Sequence, residues 1–280
     1  MLPIAVTGST GQLGRRVADR LAQMQVVQRL LVRNPTRAPK LPRTEIVEAP
    51  YGDPDAVASG LSGVQTVLMV SASETPDRMA QHRSFIDAAV RAGIEHLIYV
   101  SFVGAGPAAT FTLAREHWAT EQHILASGLT HTFLRDNLYA DFIPAMIGKD
   151  DIIRGPAGTG RVAVVAQDDI ADAAAAVVTE PGAHRGATYN LTGPEALTLT
   201  DIAATMAEVT GRSVSYHPET VEEAFASRAV YGAPAWQVEA WVSTYTAIGA
   251  GELDEVSSDI ERITGHPATP FAEVMRLVGS

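Results

Sequence analysis

The chain has 280 residues, 46% of them hydrophobic and 19% charged, which is the composition of a globular protein with a sizeable core. Its 21 lysines and arginines against 32 aspartates and glutamates give a formal net charge of −11, which opposes binding to nucleic acid or to an anionic membrane surface. With no cysteine, the sequence excludes disulfides, thiolate catalysis and thiolate-bound metal centres. No apolar run approaches the roughly 18–20 residues that span a bilayer, and the chain begins directly with an apparent strand. We therefore expect a cytoplasmic protein that binds neither nucleic acid nor membrane.

Short runs rich in Val and Ile alternate with helical patterns through the first half of the chain. The predicted strands are residues 4–7, 29–32, 44–47, 66–70, 96–101 and 131–134. The predicted helices between them are residues 12–24, 55–60, 77–92 and 111–126. Apolar strands that alternate with helices favour a parallel sheet covered on both faces, which is an α/β doubly wound fold of the Rossmann type.

After about residue 139 the alternation becomes less regular. We predict a loop at 155–160, short strands at 162–166, 187–191 and 213–217, and helices at 168–179, 200–210, 221–230, 234–250 and 271–278. The predicted Rossmann core comprises residues 1–138, and residues 162–192 return to it. Residues 139–161 and 193–280 are predicted to form a smaller, mostly helical α/β lobe that covers the substrate.

A glycine-rich turn joins the first strand to the first helix. Its sequence, Gly8-Ser9-Thr10-Gly11-Gln12-Leu13-Gly14, supplies the tight turn, the close backbone approach to a pyrophosphate and the close helix packing that a dinucleotide site requires. The position between a strand and a helix makes this pattern specific. The residues predicted to bind the cofactor here are Thr7, Gly8, Thr10, Gly11, Gln12, Leu13 and Gly14.

The end of the second strand indicates which dinucleotide is bound. NAD sites place an acidic residue there, whereas NADP sites often place an arginine that binds the 2′-phosphate. This chain has Arg33 and no acid, so we predict NADP(H). Two later strand ends are also predicted to contact the cofactor, through Tyr51 and through Ser71, Ala72 and Ser73.

The sequence lacks the tyrosine and lysine pair that most short-chain dehydrogenases use for proton transfer. The only lysines are Lys40 and Lys149, and the residues four positions before them are Thr36 and Ala145. No Tyr-x-x-x-Lys motif therefore exists, which disfavours ordinary alcohol dehydrogenases and sugar epimerases. No Gly-x-Ser-x-Gly motif indicates a hydrolase, and the histidines show no metal-ligand spacing, so no metal is assigned.

Several motifs together resemble those of the NmrA-like atypical short-chain reductases, especially their quinone and triphenylmethane reductase group. Besides the glycine turn, they are Val32-Arg33-Asn34-Pro35, Ser71–Ser73 followed by Gln81-His82-Arg83, Glu116-His117 with Thr120-Glu121, and Leu134-Arg135-Asp136-Asn137-Leu138-Tyr139. The resemblance implies a Rossmann domain with a small C-terminal lobe, and direct hydride transfer from NADPH to a flat, conjugated electrophile without flavin. One departure is Asp136, which intervenes between Arg135 and Asn137.

The resemblance also suggests where the reaction takes place. His117 stands where the usual lysine would be, and His117 and Asn137 are the predicted catalytic residues, with Tyr139 predicted to bind the cofactor. A histidine in this position is also compatible with a half-buried residue satisfied by backbone or water. Phe102, Phe142 and Met146 are predicted to form an apolar slot for the substrate. Trp236 and Trp241 would either cover this slot or anchor the C-terminal lobe.

The leading hypothesis is an NADPH-dependent reductase of quinones or similar conjugated acceptors, with a small-molecule partner and a homodimeric assembly. One alternative is a redox sensor that binds NADP(H) and regulates a partner without turnover. Another is a reductase of a different activated double bond or of an imine. A reductase and a redox sensor would share the same cofactor site, so cofactor binding does not distinguish them. An NADPH-oxidation screen does, because it measures turnover.

Overall fold

The computed structural model describes residues 3–278, which contain eleven strands. In chain order, β1 to β11 are Ile4–Thr7, Gln28–Val32, Thr44–Glu48, Thr66–Val70, His96–Phe102, Thr130–Asp136, Ile152–Gly155, Arg161–Val162, Thr188–Leu191, Leu197–Thr198 and Ser215–Pro218. Seven of them form one sheet in the order β3-β2-β1-β4-β5-β6-β9. Strand β1 pairs in parallel with both β2 and β4, so the order reverses beside β1. The predicted α/β fold with a parallel Rossmann-type sheet is confirmed.

Ten α-helices lie within the described residues. In chain order, α1 to α10 are Gln12–Gln23, Pro54–Gly60, Arg78–Arg91, Thr112–Ser127, Gln167–Thr179, Leu199–Thr210, Val221–Arg228, Ala235–Gly249, Asp259–Thr264 and Phe271–Val278. No helix within residues 3–278 is long and apolar enough to cross a membrane. The predicted helices all occur, with ends that differ by one or two residues at most positions.

The chain forms two compact units. The first comprises residues 3–101, 118–135 and 167–189. Its core contains Val67 of β4 and Leu97 of β5 together with Phe85 and Ile86 of α3, all fully buried. Strand β5 is buried along its whole length, as expected of a central strand in a parallel sheet with both faces covered.

The second unit comprises residues 102–117, 136–166 and 190–278. Strands β7 and β11 pair in parallel, and β8 pairs with β10 in antiparallel fashion. The core of this unit includes Ile143, Ile153, Ile248 and Phe271, each 1% exposed or less.

Strand β7, Ile152–Gly155, and helix α9 were not predicted from the sequence, and one prediction for the second unit was wrong. The strand predicted at 162–166 is limited to Arg161–Val162. Beyond Val162 the backbone bonds to irregular segments instead of a neighbouring strand: Ala163 donates to the Leu253 carbonyl at 2.9 Å, and Val165 donates to the Leu138 carbonyl at 3.0 Å.

Candidate functional site

The glycine turn at the carboxyl end of β1 has a backbone that only glycine suits at two positions. Gly8 has a φ of +68°, and a Cβ there would lie 2.9 Å from the Val70 Cβ. A Cβ on Gly14 would lie 2.5 Å from the carbonyl carbon and oxygen of Gly8. Gly14 therefore allows α1 to approach the turn closely, and both glycines are required by packing within the first unit.

Gly11 differs from these two glycines because its surroundings are open. A Cβ on Gly11 would meet only the Gly8 carbonyl oxygen, at 3.4 Å, and the Gly11 φ of −98° suits any residue. Gly11 is also the N-cap of α1, and no side chain caps this helix end. The absence of a side chain at Gly11 thus keeps space open beside the backbone N–H groups of the helix.

This turn suits the pyrophosphate of a dinucleotide. The N-terminus of α1 presents backbone donors and the positive end of the helix dipole. The Ser9 hydroxyl in this turn is buried and has no hydrogen-bond partner within residues 3–278. Leu13 is 5% exposed and its side chain packs in the core, so only its backbone is available to bind a pyrophosphate.

Tyr51 stabilises the glycine turn through hydrogen bonds to the ends of β1 and β4. Its hydroxyl hydrogen bonds with the Thr7 hydroxyl and donates to the Val70 carbonyl at 2.6 Å. The Val70 N–H in turn donates to the Thr7 hydroxyl at 2.9 Å. Burial raises the pKa of the Tyr51 phenol, so this group stays neutral. The hydroxyls of Tyr51 and Thr7, both predicted to bind the cofactor, are thus engaged in joining β1 to β4.

Arg33 directly follows the last residue of β2. It is exposed, and within residues 3–278 it forms no hydrogen bond or ion pair. The next residue, Asn34, accepts a hydrogen bond from the Thr36 backbone N–H at 3.0 Å and so caps a short 3₁₀ turn, Pro35–Arg37. The turn ends the strand edge sharply and leaves the Arg33 guanidinium available to an anion.

The loop Ser71-Ala72-Ser73, which follows β4, is held by two buried side chains of α3. The Ala72 N–H donates to His82 Nε2 at 2.9 Å, and Arg78 Nε donates to the Ala72 carbonyl at 3.0 Å. The sequence motif contained His82, but its spacing did not show this contact. The backbone of Ala72 is thus fixed on both sides, which positions the loop at the carboxyl edge of the sheet.

The hydrogen bonds of His82 define its tautomer. Because Nε2 accepts from a backbone N–H, the proton lies on Nδ1, which donates to the Thr120 hydroxyl at 2.8 Å. Burial, together with the nearby positive charge of Arg78, lowers the pKa of His82 to about 3. A neutral imidazole therefore connects α4 to the loop after β4.

A partly buried ion pair lies at the carboxyl end of β5. Glu121 is 2% exposed and accepts hydrogen bonds from Arg135 Nε at 2.9 Å and from Arg135 Nη2 at 2.6 Å. The Ser101 hydroxyl donates to the same carboxylate at 2.6 Å. The Ser101 hydroxyl therefore already donates its hydrogen bond to Glu121 and is poorly suited to donate to a substrate.

In the second unit, His117 of α4 lies close to an aromatic pair. The His117 ring centroid is 6.1 Å from that of Phe102, and Phe102 contacts Phe111 at 5.0 Å. His117 is 7% exposed. The predicted catalytic histidine and the predicted substrate residue Phe102 are therefore neighbours.

The Asn137 side chain, predicted to be catalytic, is buried and bound to backbone. Its side chain is fully buried, with Nδ2 donating to the Leu253 carbonyl at 3.0 Å and Oδ1 accepting from the Leu138 N–H at 2.8 Å. Both ends of the amide bind backbone. The amide thus fixes the chain at the start of the turn that leads to Tyr139, while a catalytic role of Asn137 stays a prediction.

Tyr139 and the residues after it combine a polar group with apolar side chains. The Tyr139 hydroxyl donates to Asp136 Oδ2 at 2.7 Å, and Tyr139 precedes a 3₁₀ helix, Ala140–Met146. Phe142 in this helix is 55% exposed, whereas Met146 is half-buried against the core of the second unit. Of the predicted substrate residues, Phe142 has the largest apolar surface available to a ligand.

The two late tryptophans were predicted either to cover a substrate or to anchor the lobe. Trp241 packs against Val238 and Val242 in a small cluster, and its ring meets that of Tyr231 at 5.9 Å in a T-shaped arrangement. These contacts show Trp241 joining α8 to the segment before it. They favour an anchoring role for Trp241.

A parallel sheet whose strand order reverses beside β1, with an uncapped helix N-terminus and an available arginine at its carboxyl edge, defines a dinucleotide-binding protein. Comparison with known proteins agrees. A family model described as NAD(P)H-binding matches residues 8–181. Quinone oxidoreductase 2 of Escherichia coli is 34% identical over 278 residues, which cover 96% of each chain. The chain belongs to the NAD(P)H-binding, NmrA-like family and is an NAD(P)H-dependent oxidoreductase of the quinone oxidoreductase 2 type.

Solved structures and a further relative extend this result. A crystal structure of NADPH-dependent quinone oxidoreductase from Escherichia coli, complexed with NADPH, has a TM-score of 0.90 at 33% identity and covers 99% of this chain and 100% of that one. Triphenylmethane reductase from Citrobacter has a TM-score of 0.87 at 32% identity, with 99% of each chain covered. The (4-alkanoyl-5-oxo-2,5-dihydrofuran-3-yl)methyl phosphate reductase of Streptomyces griseus is 33% identical over 280 residues, covering 96% of this chain and 95% of the relative.

Proposed function

We propose that this protein is an NADPH-dependent reductase that transfers hydride directly to quinones or similar conjugated electrophiles, without flavin. The observation that carries the proposal is the environment of Ser101. The hydroxyl at the end of β5 is bound to a carboxylate that is paired with Arg135, and the sequence has no tyrosine activated by a lysine. An acceptor that is itself electrophilic suits such a site, because it accepts hydride before it needs a proton. The names of the quinone and triphenylmethane reductases support the same class of acceptor.

The preference for NADPH over NADH rests on Arg33. A guanidinium binds a phosphate through two parallel hydrogen bonds, and Arg33 is exposed at the strand end where the ribose of a bound dinucleotide lies in this fold. No acidic residue follows β2 to bind a 2′-hydroxyl instead. The Escherichia coli structure with NADPH supports this preference.

The residues of this chain bind the cofactor, hold the loop after β4 in place and offer an apolar surface to the acceptor. When bound, the cofactor supplies a hydride from its nicotinamide ring. The glycine turn and the N-terminus of α1 bind its pyrophosphate, and His82 and Arg78 hold the loop after β4 in place. Phe102, Phe142 and Met146 offer apolar surface for a flat acceptor. We assign Asn137 as a positioning residue for the backbone before Tyr139.

A second candidate is reduction of another activated carbon–carbon double bond. The 33% identity to the Streptomyces griseus reductase over nearly the full length favours it, because that relative's name denotes a reductase of a dihydrofuran derivative. Such an acceptor needs the same hydride donor but a better source of protons.

An NADPH-oxidation screen tests the proposal. Purified protein without added flavin is assayed at 340 nm (a wavelength at which NADPH absorbs) with simple quinones, cationic dyes, enones and imines. We expect turnover with quinones or cationic dyes and weaker turnover with enones. Turnover confined to imines or enones would favour the second candidate. Cofactor binding without turnover of any acceptor would contradict a reductase and favour a redox sensor.

A further inference from the structure

Asp136 is a buried carboxyl that forms no ion pair within residues 3–278. It lies at the end of β6, is 2% exposed, and its backbone carbonyl accepts from the Val103 N–H at 2.8 Å. Its carboxyl group bonds to the Tyr139 hydroxyl and to its own backbone N–H. No lysine, arginine or histidine within residues 3–278 forms an ion pair with it.

A second buried carboxylate, Glu121, provides a direct contrast. Glu121 is as deeply buried as Asp136 but is bound by two nitrogens of Arg135, so its charge is compensated. Asp136 has only a phenol and a backbone amide, which do not offset the loss of hydration of a carboxylate. Burial raises the pKa of Asp136 well above its usual value. Asp136 therefore holds a proton over a wider pH range than an exposed aspartate.

Tyr139 connects this buried acid to a partly exposed position. Its hydroxyl is 2.7 Å from Asp136 Oδ2, and its ring is only half-buried. Once Asp136 carries a proton, the short separation allows Asp136 to donate to the phenolic oxygen. The phenolic hydrogen is then available to a group other than Asp136.

We propose that Tyr139, backed by Asp136, is the proton donor to the reduced acceptor. This inference rests on the proposed function, since it requires an acceptor that has become an anion by taking up hydride. The Tyr139 O–H bond breaks and a new O–H, N–H or C–H bond forms on the acceptor. The phenolate then takes the proton of Asp136, and water returns a proton to the carboxylate. Two electrons reach the acceptor with the hydride, and the proton step moves none.

The pair matters most for weakly activated acceptors. A hydroquinone anion is stable enough to take its proton from water after hydride transfer, whereas an enone develops a more basic oxygen during the transfer. We therefore expect the pair to widen the range of acceptors from quinones to enones and imines. Asp136 is also the residue at which the motif of this chain departs from that of the family it resembles.

Infrared spectroscopy of the ligand-free protein tests the state of Asp136 independently of activity. At pH 7 we expect a carbonyl stretching band of a protonated carboxyl group, which is lost in Asp136→Asn and shifted in Tyr139→Phe. Asp259→Asn is the matched control, because Asp259 is a partly buried carboxylate paired with Arg262. A wild-type spectrum without a protonated-carboxyl band that Asp136→Asn removes would overturn the proposal.

Steady-state kinetics test the proton transfer itself. With an enone acceptor, Tyr139→Phe should lower kcat by about 10²–10⁴-fold, with a smaller effect on a simple quinone and an NADPH Kd within about twofold. Asp136→Asn should also lower kcat with the enone. Tyr216→Phe is the control, since Tyr216 is a half-buried tyrosine whose hydroxyl donates to the Gly155 carbonyl; it should leave kcat unchanged.

The outcomes are separable. If Tyr139→Phe weakens NADPH binding and leaves kcat unchanged, Tyr139 is a cofactor contact and the proposal is wrong. If Asp136→Asn does not fold, the Tyr139→Phe kinetics and the infrared shift still decide. If the wild-type protein reduces no acceptor, the proposed function fails and the proton donor fails with it. A wild type that reduces enones while both variants keep its kcat would overturn the proton donor alone.

Discussion

At the scale of single residues, Arg33 is expected to determine cofactor choice. Its guanidinium is exposed and unpaired within the described residues, so a 2′-phosphate is the partner it can gain. Arg33→Ala should weaken NADPH binding by about 1.5–3 kcal/mol, the range of a hydrogen bond to a charged group, while NADH binding changes little. Isothermal titration with both cofactors measures this. Arg276→Ala, which removes an exposed arginine of α10, is the control, and equal losses for NADPH and NADH would refute the assignment of Arg33.

Two glycines of the same turn should respond differently to substitution. Gly11→Val places a branched side chain in the open space beside the N-terminus of α1, so it should abolish NADPH binding with a small loss of thermal stability. Gly14→Ala places a methyl group 2.5 Å from the Gly8 carbonyl, so it should mainly lower the melting temperature. Thermal melts and cofactor titrations of both variants test this. Normal NADPH binding by Gly11→Val would show that the turn is structural only.

His117 is expected to position rather than to protonate. It lies against Phe102, and the Tyr139–Asp136 pair is the proposed proton donor. With a simple quinone, His117→Ala should therefore raise the KM for NADPH more than it lowers kcat. The measurement is a full kinetic comparison of the variant and the wild type. A fall in kcat of roughly 10³-fold, within the range of general acid–base groups, would instead make His117 the catalytic acid.

At the scale of elements, the contact between α3 and the loop after β4 makes the stability of the fold sensitive to acid. The pKa of His82 is lowered to about 3 in the folded protein, against 6.5 for an ordinary histidine. Between these values the unfolded chain binds a proton that the folded protein does not, so stability falls as the pH decreases through this range, by up to about 1.4 kcal/mol per pH unit.

The His82→Gln variant removes this titration, so its melting temperature should decrease less than that of the wild type between pH 7.5 and pH 5. His96, whose pKa burial lowers to about 4, remains in the variant and keeps part of the decrease. His217→Gln, at an exposed position, should behave like the wild type. Parallel melting curves for His82→Gln and the wild type across this range would contradict the neutral, buried state of His82.

The elements of the sheet were readable from the sequence because their signals are local. Each predicted strand from β1 to β6 occurs with ends shifted by two residues or fewer, since buried parallel strands are continuous apolar runs. Strand β7 was missed because Ile152–Gly155 is short and lies between Asp151 and Pro156, where no pattern extends. The segment 162–166 has the composition of a strand, but beyond Val162 its backbone bonds to Leu253 and Leu138, which lie outside any strand.

The site could be predicted only in part, because a sequence shows local patterns but not the contacts that folding creates. The glycine turn and Arg33 depend on spacing along the chain, so the sequence indicated them. The contacts of His82 with Ala72 and of Glu121 with Arg135 join residues that only the folded chain brings together. The hydrogen bond from Asn137 Nδ2 to the Leu253 carbonyl likewise joins residues more than a hundred positions apart, which the motif around Asn137 does not show.

For the whole molecule, the proposed reaction is direct hydride transfer from NADPH to a conjugated electrophile. The most direct measurement uses NADPH with deuterium at both C4 positions of the nicotinamide ring and a cationic triarylmethane dye as acceptor, with no flavin present. Mass spectrometry of the reduced dye should find one deuterium on its central carbon, because a transferred hydride does not exchange with water at that position. A reduced dye without deuterium, or no reduction of either the dye or simple quinones, would contradict direct hydride transfer to these acceptors.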